Sequence, residues 1–234
     1  MKRKFSLLSL TLFTALSVAL VGCDKDDPQP DQSKVLVVHA SPDAPGVDLL
    51  VDNQKVNSSA LTFPNNTGYL TVNAGTRNIK VNVAGTSTTA INADLTLTKD
   101  KNYSVFAIDK VATIKAIAVE DNLAAPASGK AHIRFFHLSP GAPAVTVGVL
   151  SGSTFTPVFS NRAFETQATA AANQAFAPVD AGTYTFDVRV AGTTTSVLTL
   201  TGINLQAGKI YTVFARGIVG NATTPLGATI ITNN

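Results

Sequence analysis

The stretch Val37-Val38-His39-Ala40-Ser41-Pro42-Asp43-Ala44-Pro45-Gly46-Val47 returns as Phe135-Phe136-His137-Leu138-Ser139-Pro140-Gly141-Ala142-Pro143-Ala144-Val145. Both copies read as two apolar residues followed by H-x-S-P-x-A-P-x-V. Two more segments recur in the same order. An A-G-T turn at 74–76 returns at 181–183, and K-N-Y-S-V-F-A at 101–107 returns as K-I-Y-T-V-F-A at 209–215. Three ordered matches indicate an internal duplication.

The N-terminal motifs and the duplication together predict five segments in the chain. They are a signal peptide (1–22), a lipidated cysteine with a flexible tether (23–33), a first repeat (34–122), a linker (123–129) and a second repeat (130–234). The linker, L-A-A-P-A-S-G, consists of small residues and a proline. Such segments carry few contacts, so we expect two separable domains and protease sensitivity near Ala124 to Gly129.

Each copy has the pattern of β structure. Arg77 to Val83 and Thr183 to Val190 alternate apolar with polar residues, with Asp187 expected on the solvent face. Period-two alternation and short strands between turns predict an all-β fold with two tandem immunoglobulin-like β-sandwich domains. These domains follow an N-terminal segment that its own motifs indicate to be a lipoprotein signal peptide. The second copy has extra residues within Arg162 to Ala175. That stretch is rich in alanine, and both a short helix and a long loop fit it.

The N-terminus has the layout of a bacterial lipoprotein precursor. A basic start (Lys2-Arg3-Lys4) precedes an apolar run, and Leu20-Val21-Gly22-Cys23 resembles the lipobox of that family. The resemblance implies that the Cys23 thiol receives a diacylglycerol, that the chain is cut before it, and that the new N-terminus is acylated (palmitate). Several acyl chains give stable anchoring. The expected partner is therefore the membrane, reached through the N-terminal lipid without a spanning segment.

The tether suggests a location for the anchored protein. Residues 24–33 are polar and reach about 33 Å when fully extended. Within them, Lys25, Asp26 and Asp27 resemble an export signal that sends lipoproteins to the outer face of the outer membrane in one group of Gram-negative bacteria. The alternative is a solvated spacer. We expect a lipid-anchored outer-membrane protein exposed at the cell surface.

The charge balance argues against nucleic acid as a partner. The formal net charge is +3, but Lys2, Arg3 and Lys4 are the only charged residues in the first 22. Without that segment, 15 of the 18 basic residues remain against 15 acidic ones. No electrostatic footprint for a polyanion survives.

The most conspicuous cluster of polar residues surrounds His39. With Asp43 and Asp48 it could form a metal or catalytic site, whereas His39, Ser41, Pro42 and Pro45 alone describe a rigid turn. The second copy retains the turn residues His137, Ser139, Pro140 and Pro143. It has Gly141 and Thr146 in place of the two carboxylates. We therefore predict structural turns, and leave open whether Asp43 and Asp48 bind a cation.

Other signs of catalysis are missing from the sequence. It has no G-x-S-x-G elbow, H-E-x-x-H, Walker loop or G-x-G-x-x-G. Glu120 and Asp121 are interpreted as linker carboxylates. The prediction is a protein that is not an enzyme, with no cofactor, no metal and no catalytic residue.

The repeated motifs resemble a known family. H-A-S-P-D-A-P, the A-G-T turn and K-x-Y-[ST]-V-F-A look like the bacterial domain-of-unknown-function family 4397, in two copies over nearly all of Lys34 to Thr232. That family occurs in secreted and cell-envelope proteins and has no established activity. The resemblance implies fold and location, and supplies no catalytic residues.

Three functions follow as hypotheses. The first is a lipid-anchored, non-enzymatic module that binds or scaffolds an unknown extracellular protein or glycan. The second is a glycan-binding lipoprotein of a polysaccharide-capture system, which needs exposed aromatics such as Tyr69 or Phe155. The third, an envelope hydrolase, needs a pocket that joins His39 to Asp43 and Asp48.

Overall fold

The computed structural model describes residues 30–234 of the chain. The predicted lipidation site Cys23 and the predicted export signal Lys25, Asp26 and Asp27 lie outside this range. Within it, no helix has the length and apolar character needed to cross a membrane.

The first copy contains eight strands and a short 3-10 helix (Val111–Thr113). The strands are β1 (Gln32–His39), β2 (Val47–Val51), β3 (Gln54–Lys55), β4 (Asn66–Asn73), β5 (Gly75–Val83), β6 (Thr89–Leu97), β7 (Asn102–Ile108) and β8 (Lys115–Glu120).

The second copy contains eight strands and one α-helix, α1 (Gln167–Ala172). The strands are β9 (Lys130–His137), β10 (Val145–Ser151), β11 (Thr154–Arg162), β12 (Ala177–Asp180), β13 (Gly182–Val190), β14 (Ser196–Leu205), β15 (Ile210–Arg216) and β16 (Gly227–Thr232).

The prediction of two all-β sandwiches is confirmed. Each copy forms an inner sheet, ordered β4-β1-β7-β8 and β12-β9-β15-β16, and an outer sheet, ordered β3-β2-β5-β6 and β11-β10-β13-β14. The two copies thus have the same strand order. At the centre of each inner sheet two strands run parallel, with Lys34 opposite Asn102 and His132 opposite Ile210.

Apolar side chains form three clusters between four stacked sheets. The first core lies between the two sheets of the first copy, and the second core between those of the second copy. A third cluster, the shared core, joins the two inner sheets. Both inner sheets are therefore covered on both faces.

The expectation that few contacts join the two copies is wrong, because the copies share this buried interior. Phe106 and Phe214 occupy equivalent positions on β7 and β15, and their rings meet edge to face with centroids 6.3 Å apart. Phe136 also packs edge-on against Phe106, at 5.3 Å. A linker of small residues does not determine how much apolar surface its neighbours bury. The segment boundaries themselves stay a prediction.

The alanine-rich insertion of the second copy forms helix α1. Thr166 caps it, since its hydroxyl accepts from the Thr169 amide and the Thr169 side chain accepts in return from the Thr166 amide. The helix lies against β8 of the first copy. There the Gln167 carboxamide accepts from the Ala118 amide and donates to the Ala118 carbonyl, both at 2.8 Å. The side chain thus occupies the free edge of β8, which would otherwise be an open pairing site.

Candidate functional site

The first H-x-S-P turn is tied together by His39 at the end of β1. Its Nε2 lies 2.9 Å from the carbonyl oxygen of Pro45, and its ring packs edge-on against Phe63. Burial lowers the pKa of His39, although the Pro45 carbonyl opposes that shift. The imidazole is therefore neutral near pH 7 and links two ends of a loop. Pro42 and Ser41 lie buried within the same turn.

The second turn repeats this geometry around His137. Its Nε2 lies 3.0 Å from the Pro143 carbonyl, and its Nδ1 accepts from the Ser139 amide at 3.3 Å. These bonds place the proton on Nε2, which donates to Pro143. Burial again lowers the pKa of the histidine. Pro140 follows Ser139 in the buried part of this turn.

The two serines differ in what they bond. The Ser139 hydroxyl donates to the Gly217 carbonyl at 2.6 Å and so fastens the turn to the end of β15. The Ser41 hydroxyl is equally buried and has no hydrogen-bond partner among residues 30–234. The two turns thus share the H-x-S-P sequence, but among the residues that the structure describes only the serine of the second turn makes a side-chain hydrogen bond.

The carboxylates beside the first turn bond elsewhere. Asp43 accepts from the Val111 amide at 2.8 Å. Asp48 lies 2.8 Å from the Lys55 ammonium and accepts from the Gly85 amide, and the Lys55 contact lowers the pKa of Asp48. His39, Asp43 and Asp48 therefore have separate partners. In the described part of the chain, no three His, Cys, Asp or Glu side chains gather as a metal-binding group.

A polar network that the sequence did not predict crosses the shared core. Arg134 of β9 is fully buried, and its Nη2 lies 2.6 Å from Oδ1 of Asp121 at the end of β8. Its Nε donates to the Thr212 hydroxyl at 2.9 Å, and its guanidinium stacks over Phe176 at 4.3 Å. Burial lowers the pKa of Arg134, and Asp121 opposes the shift.

Asp121 is the acceptor at the centre of this network. Its Oδ2 accepts from the Ser104 hydroxyl at 2.7 Å and from the Tyr69 hydroxyl at 2.5 Å. Asn233 of the second copy donates to the Tyr69 oxygen at 3.1 Å. Burial and the Asp121 charge raise the pKa of Tyr69, so its proton stays in place. The interpretation of Asp121 as a linker carboxylate is therefore wrong.

The network is built from equivalent positions of the two copies. The registers of the inner sheets align them in four pairs: Leu36 with Arg134, Tyr69 with Phe176, Ser104 with Thr212, and Asp121 with Asn233. The second copy supplies the cation and the first copy the anion. The interface is thus symmetric in backbone and asymmetric in charge.

The aromatic side chains named for glycan binding have other contacts. Tyr69 is half-buried and its hydroxyl bonds Asp121, so it does not form the exposed platform that glycan binding needs. Phe155, at the outer face of the second copy, lies under the Arg189 guanidinium, 3.9 Å from the ring centroid. The Arg189 Nε donates to the Asp187 carboxylate at 2.7 Å. Asp187 is buried, so the prediction that it faces solvent is wrong. A Cβ at Gly148 would come within 2.6 Å of the Phe155 ring, so the ring can lie there only because residue 148 has no side chain.

Comparison with known proteins matches the first copy and the start of the second to one family. Residues 33–148 match the family described as Domain of unknown function (DUF4397), and this segment belongs to that family. No curated protein matches the chain.

Two solved structures share a broad likeness with this one. A candidate cell adhesion protein of Parabacteroides distasonis has 11% identity and a TM-score of 0.25, with 88% of this chain and 100% of that chain covered. A second, of Bacteroides fragilis, has 13% identity and a TM-score of 0.24, with 87% and 98% covered. These TM-scores are too low for the descriptions of those proteins to bear on the function of this chain.

Proposed function

We propose that this chain is a non-enzymatic surface module, held by a lipid on Cys23 at the outer face of the outer membrane. There its four-sheet body binds or scaffolds an extracellular protein or glycan. The observation that carries the proposal is the place of Cys23. The lipobox cysteine precedes the first residue of β1, Gln32, by fewer than ten residues, which span about 30 Å at most. A lipid on Cys23 therefore holds the folded body close to the bilayer.

The contacts of the titratable residues support a non-catalytic role. His39 and His137 each bond a proline carbonyl inside their own turn. The carboxylate of Asp43 holds the Val111 amide, and that of Asp48 holds Lys55 and Gly85. Side chains engaged in such bonds stabilise loops. They do not meet in one pocket, so the geometry gives the hydrolase alternative no support.

The glycan-binding alternative rests on Phe155. Its partly exposed ring lies on an outer sheet, where a flat ligand would reach it from solvent. However, the Arg189 guanidinium covers one face of that ring. A sugar that stacks there needs Arg189 to move, so we place the glycan second to an unspecified extracellular partner.

Protease shaving of intact cells tests the location. We expect the natural chain to be cut from outside, and Lys25→Ala/Asp26→Ala/Asp27→Ala to be membrane-bound and protected. Lys99→Ala/Lys101→Ala, which also removes exposed charges, is the matched control and should be cut normally. Cys23→Ala should leave the membrane fraction or accumulate as uncut precursor. Equal protection of the natural chain and the triple variant would place the protein in the periplasm and contradict the proposal.

A further inference from the structure

The core of the first copy contains a cavity of about 350 Å³. It lies between the inner and outer sheets and opens to solvent between β6 and β8. Its floor is apolar, with Val37, Val81 and Val105 among the lining residues. The cavity volume falls within the range of small-molecule sites in proteins.

The same position in the second copy is filled. The space left there is about 20 Å³, although the strand order and register are the same. The registers pair four side chains of the first copy with larger ones of the second: Val37 with Phe135, Ile79 with Phe186, Ala93 with Leu200, and Ala118 with Ile230. Side-chain size therefore accounts for the difference between the two cores.

The duplicated core shows that this backbone accepts side chains that close the space. An apolar cavity that stays empty costs stability, because the lining atoms lose their packing partners. We propose that the cavity of the first copy is a binding site for a small neutral molecule with an alkyl or aryl body. An apolar cavity of about 150 Å³ holds benzene, so this one holds about 14 non-hydrogen atoms.

The rim of the cavity selects the polar end of the ligand. Asp94 lies on one side, where Oδ1 accepts from the Asn78 carboxamide at 2.8 Å. Gln167 lies on the other side, with both carboxamide atoms bonded to Ala118. The rim thus presents a carboxylate and no cation. A hydroxyl end is favoured there, and a carboxylate end is repelled.

The site needs both copies. Gln167 belongs to α1 of the second copy, whereas the floor belongs to the first. The insertion that covers the β8 edge therefore also completes the rim, and this assigns it a role in binding.

Methyl NMR with 1-octanol and octanoate tests the site. The protein is residues 30–234, which contain all three cores, labelled at the alanine methyl groups. We expect octanol to shift the Ala93, Ala116 and Ala118 signals and to leave Ala215 and Ala228 of the second copy unchanged. Octanoate, with the same chain length and a negative end, should bind at least tenfold more weakly. Equal binding of the two would overturn the rim assignment, and no shift with octanol would overturn the site.

Variants that exchange the two cores are the controls. Ala93→Leu/Ala118→Ile installs the second copy's residues and should weaken octanol binding at least tenfold while the melting temperature stays or rises. If the pair fails to fold, Ala118→Ile alone serves. Leu200→Ala/Ile230→Ala should open the second core and give octanol shifts at Ala228. Unchanged octanol binding in a folded, filled variant would mean that the ligand lies elsewhere.

Discussion

The two inner sheets meet through equivalent positions, yet at one pair they carry opposite kinds of side chain. Leu36 lies on β1 where Arg134 lies on β9, and the Arg134 guanidinium reaches across to Asp121 of the first copy. Two arginines at these positions would bring two buried cations to one interface. Two leucines would leave the carboxylate unpaired. The difference teaches that a single buried ion pair across such an interface requires the copies to diverge, because identical copies would hold two equivalent pairs or none.

Cutting the chain between the copies tests whether the shared core, the largest contact between them, holds them together without the linker. With a protease site inserted between Ala125 and Pro126, we expect the two fragments to stay together after cleavage and to elute as the intact protein. The shared core would otherwise expose Phe106, Phe136 and Phe214 to water. Size-exclusion chromatography at micromolar concentration measures this. Separation of the fragments would show that the linker, rather than the shared core, holds the copies together.

Making the copies alike at the ion pair should cost the most stability of any point change. Arg134→Leu copies Leu36 and leaves the buried Asp121 carboxylate without its cation, which costs about 3–5 kcal/mol. Asp121→Asn copies Asn233, and the double variant should recover most of the loss because both charges are gone. Urea unfolding measures all three.

The exposed pair of Lys101 and Glu120 supplies the control for that series. Lys101→Ala should leave the urea midpoint nearly unchanged, since exposed pairs contribute little. If Arg134→Leu also left the urea midpoint nearly unchanged, the buried pair would contribute no more to stability than a surface contact.

The serines of the two turns should differ on removal of their hydroxyls. Ser139→Ala deletes a buried bond to the Gly217 carbonyl and should cost about 1–2 kcal/mol. Ser41→Ala deletes no bond, so its melting temperature should fall by less than that of Ser139→Ala. The comparison is a pair of melting curves. Equal losses would indicate that Ser41 has a partner that water or a rearranged loop provides.

The smallest effect is a pH dependence that both turns share. The pKa values of His39 and His137 are lowered by burial from an ordinary 6.5. Below about pH 6.5 the unfolded chain therefore binds more protons at these histidines than the folded chain does. The free energy of unfolding falls as the pH is lowered through this range. Unfolding at pH 7.5 and 5.5 measures the slope, and His39→Gln/His137→Gln should reduce it. A stability that rises on acidification would contradict the sign.

The sequence predicted the repeated unit better than it predicted how the units meet. Alternation in 77–83 and 183–190 identifies strands with one buried face, and both segments lie within observed strands, β5 and β13. Strands with two buried faces have no alternation. The adjacent apolar pairs Val37-Val38 and Phe135-Phe136 were the available sign, because neighbours on a strand point to opposite sides.

The polar part of the interface had no comparable sign. Arg134 stands in K-A-H-I-R-F-F-H, and an arginine in a strand is usually exposed. Its burial depends on Asp121, Thr212 and Phe176, which are distant in sequence and come together only when both copies are folded. The cavity was equally hidden, since its volume depends on four pairs of side chains from separate strands.

The parallel pairing at the centre of each inner sheet also governs the order in which the chain folds. β1 is complete early in synthesis, but its partner β7 lies beyond five other strands, with Lys34 opposite Asn102. Such non-local pairing is slow to form, because a long loop must close before the contact contributes. In the same way, β9 cannot pair with β15 until β15 has been synthesised. The shared core forms only after both inner sheets have formed. An apolar inner face of the first copy is therefore open to solvent until the second copy has left the ribosome.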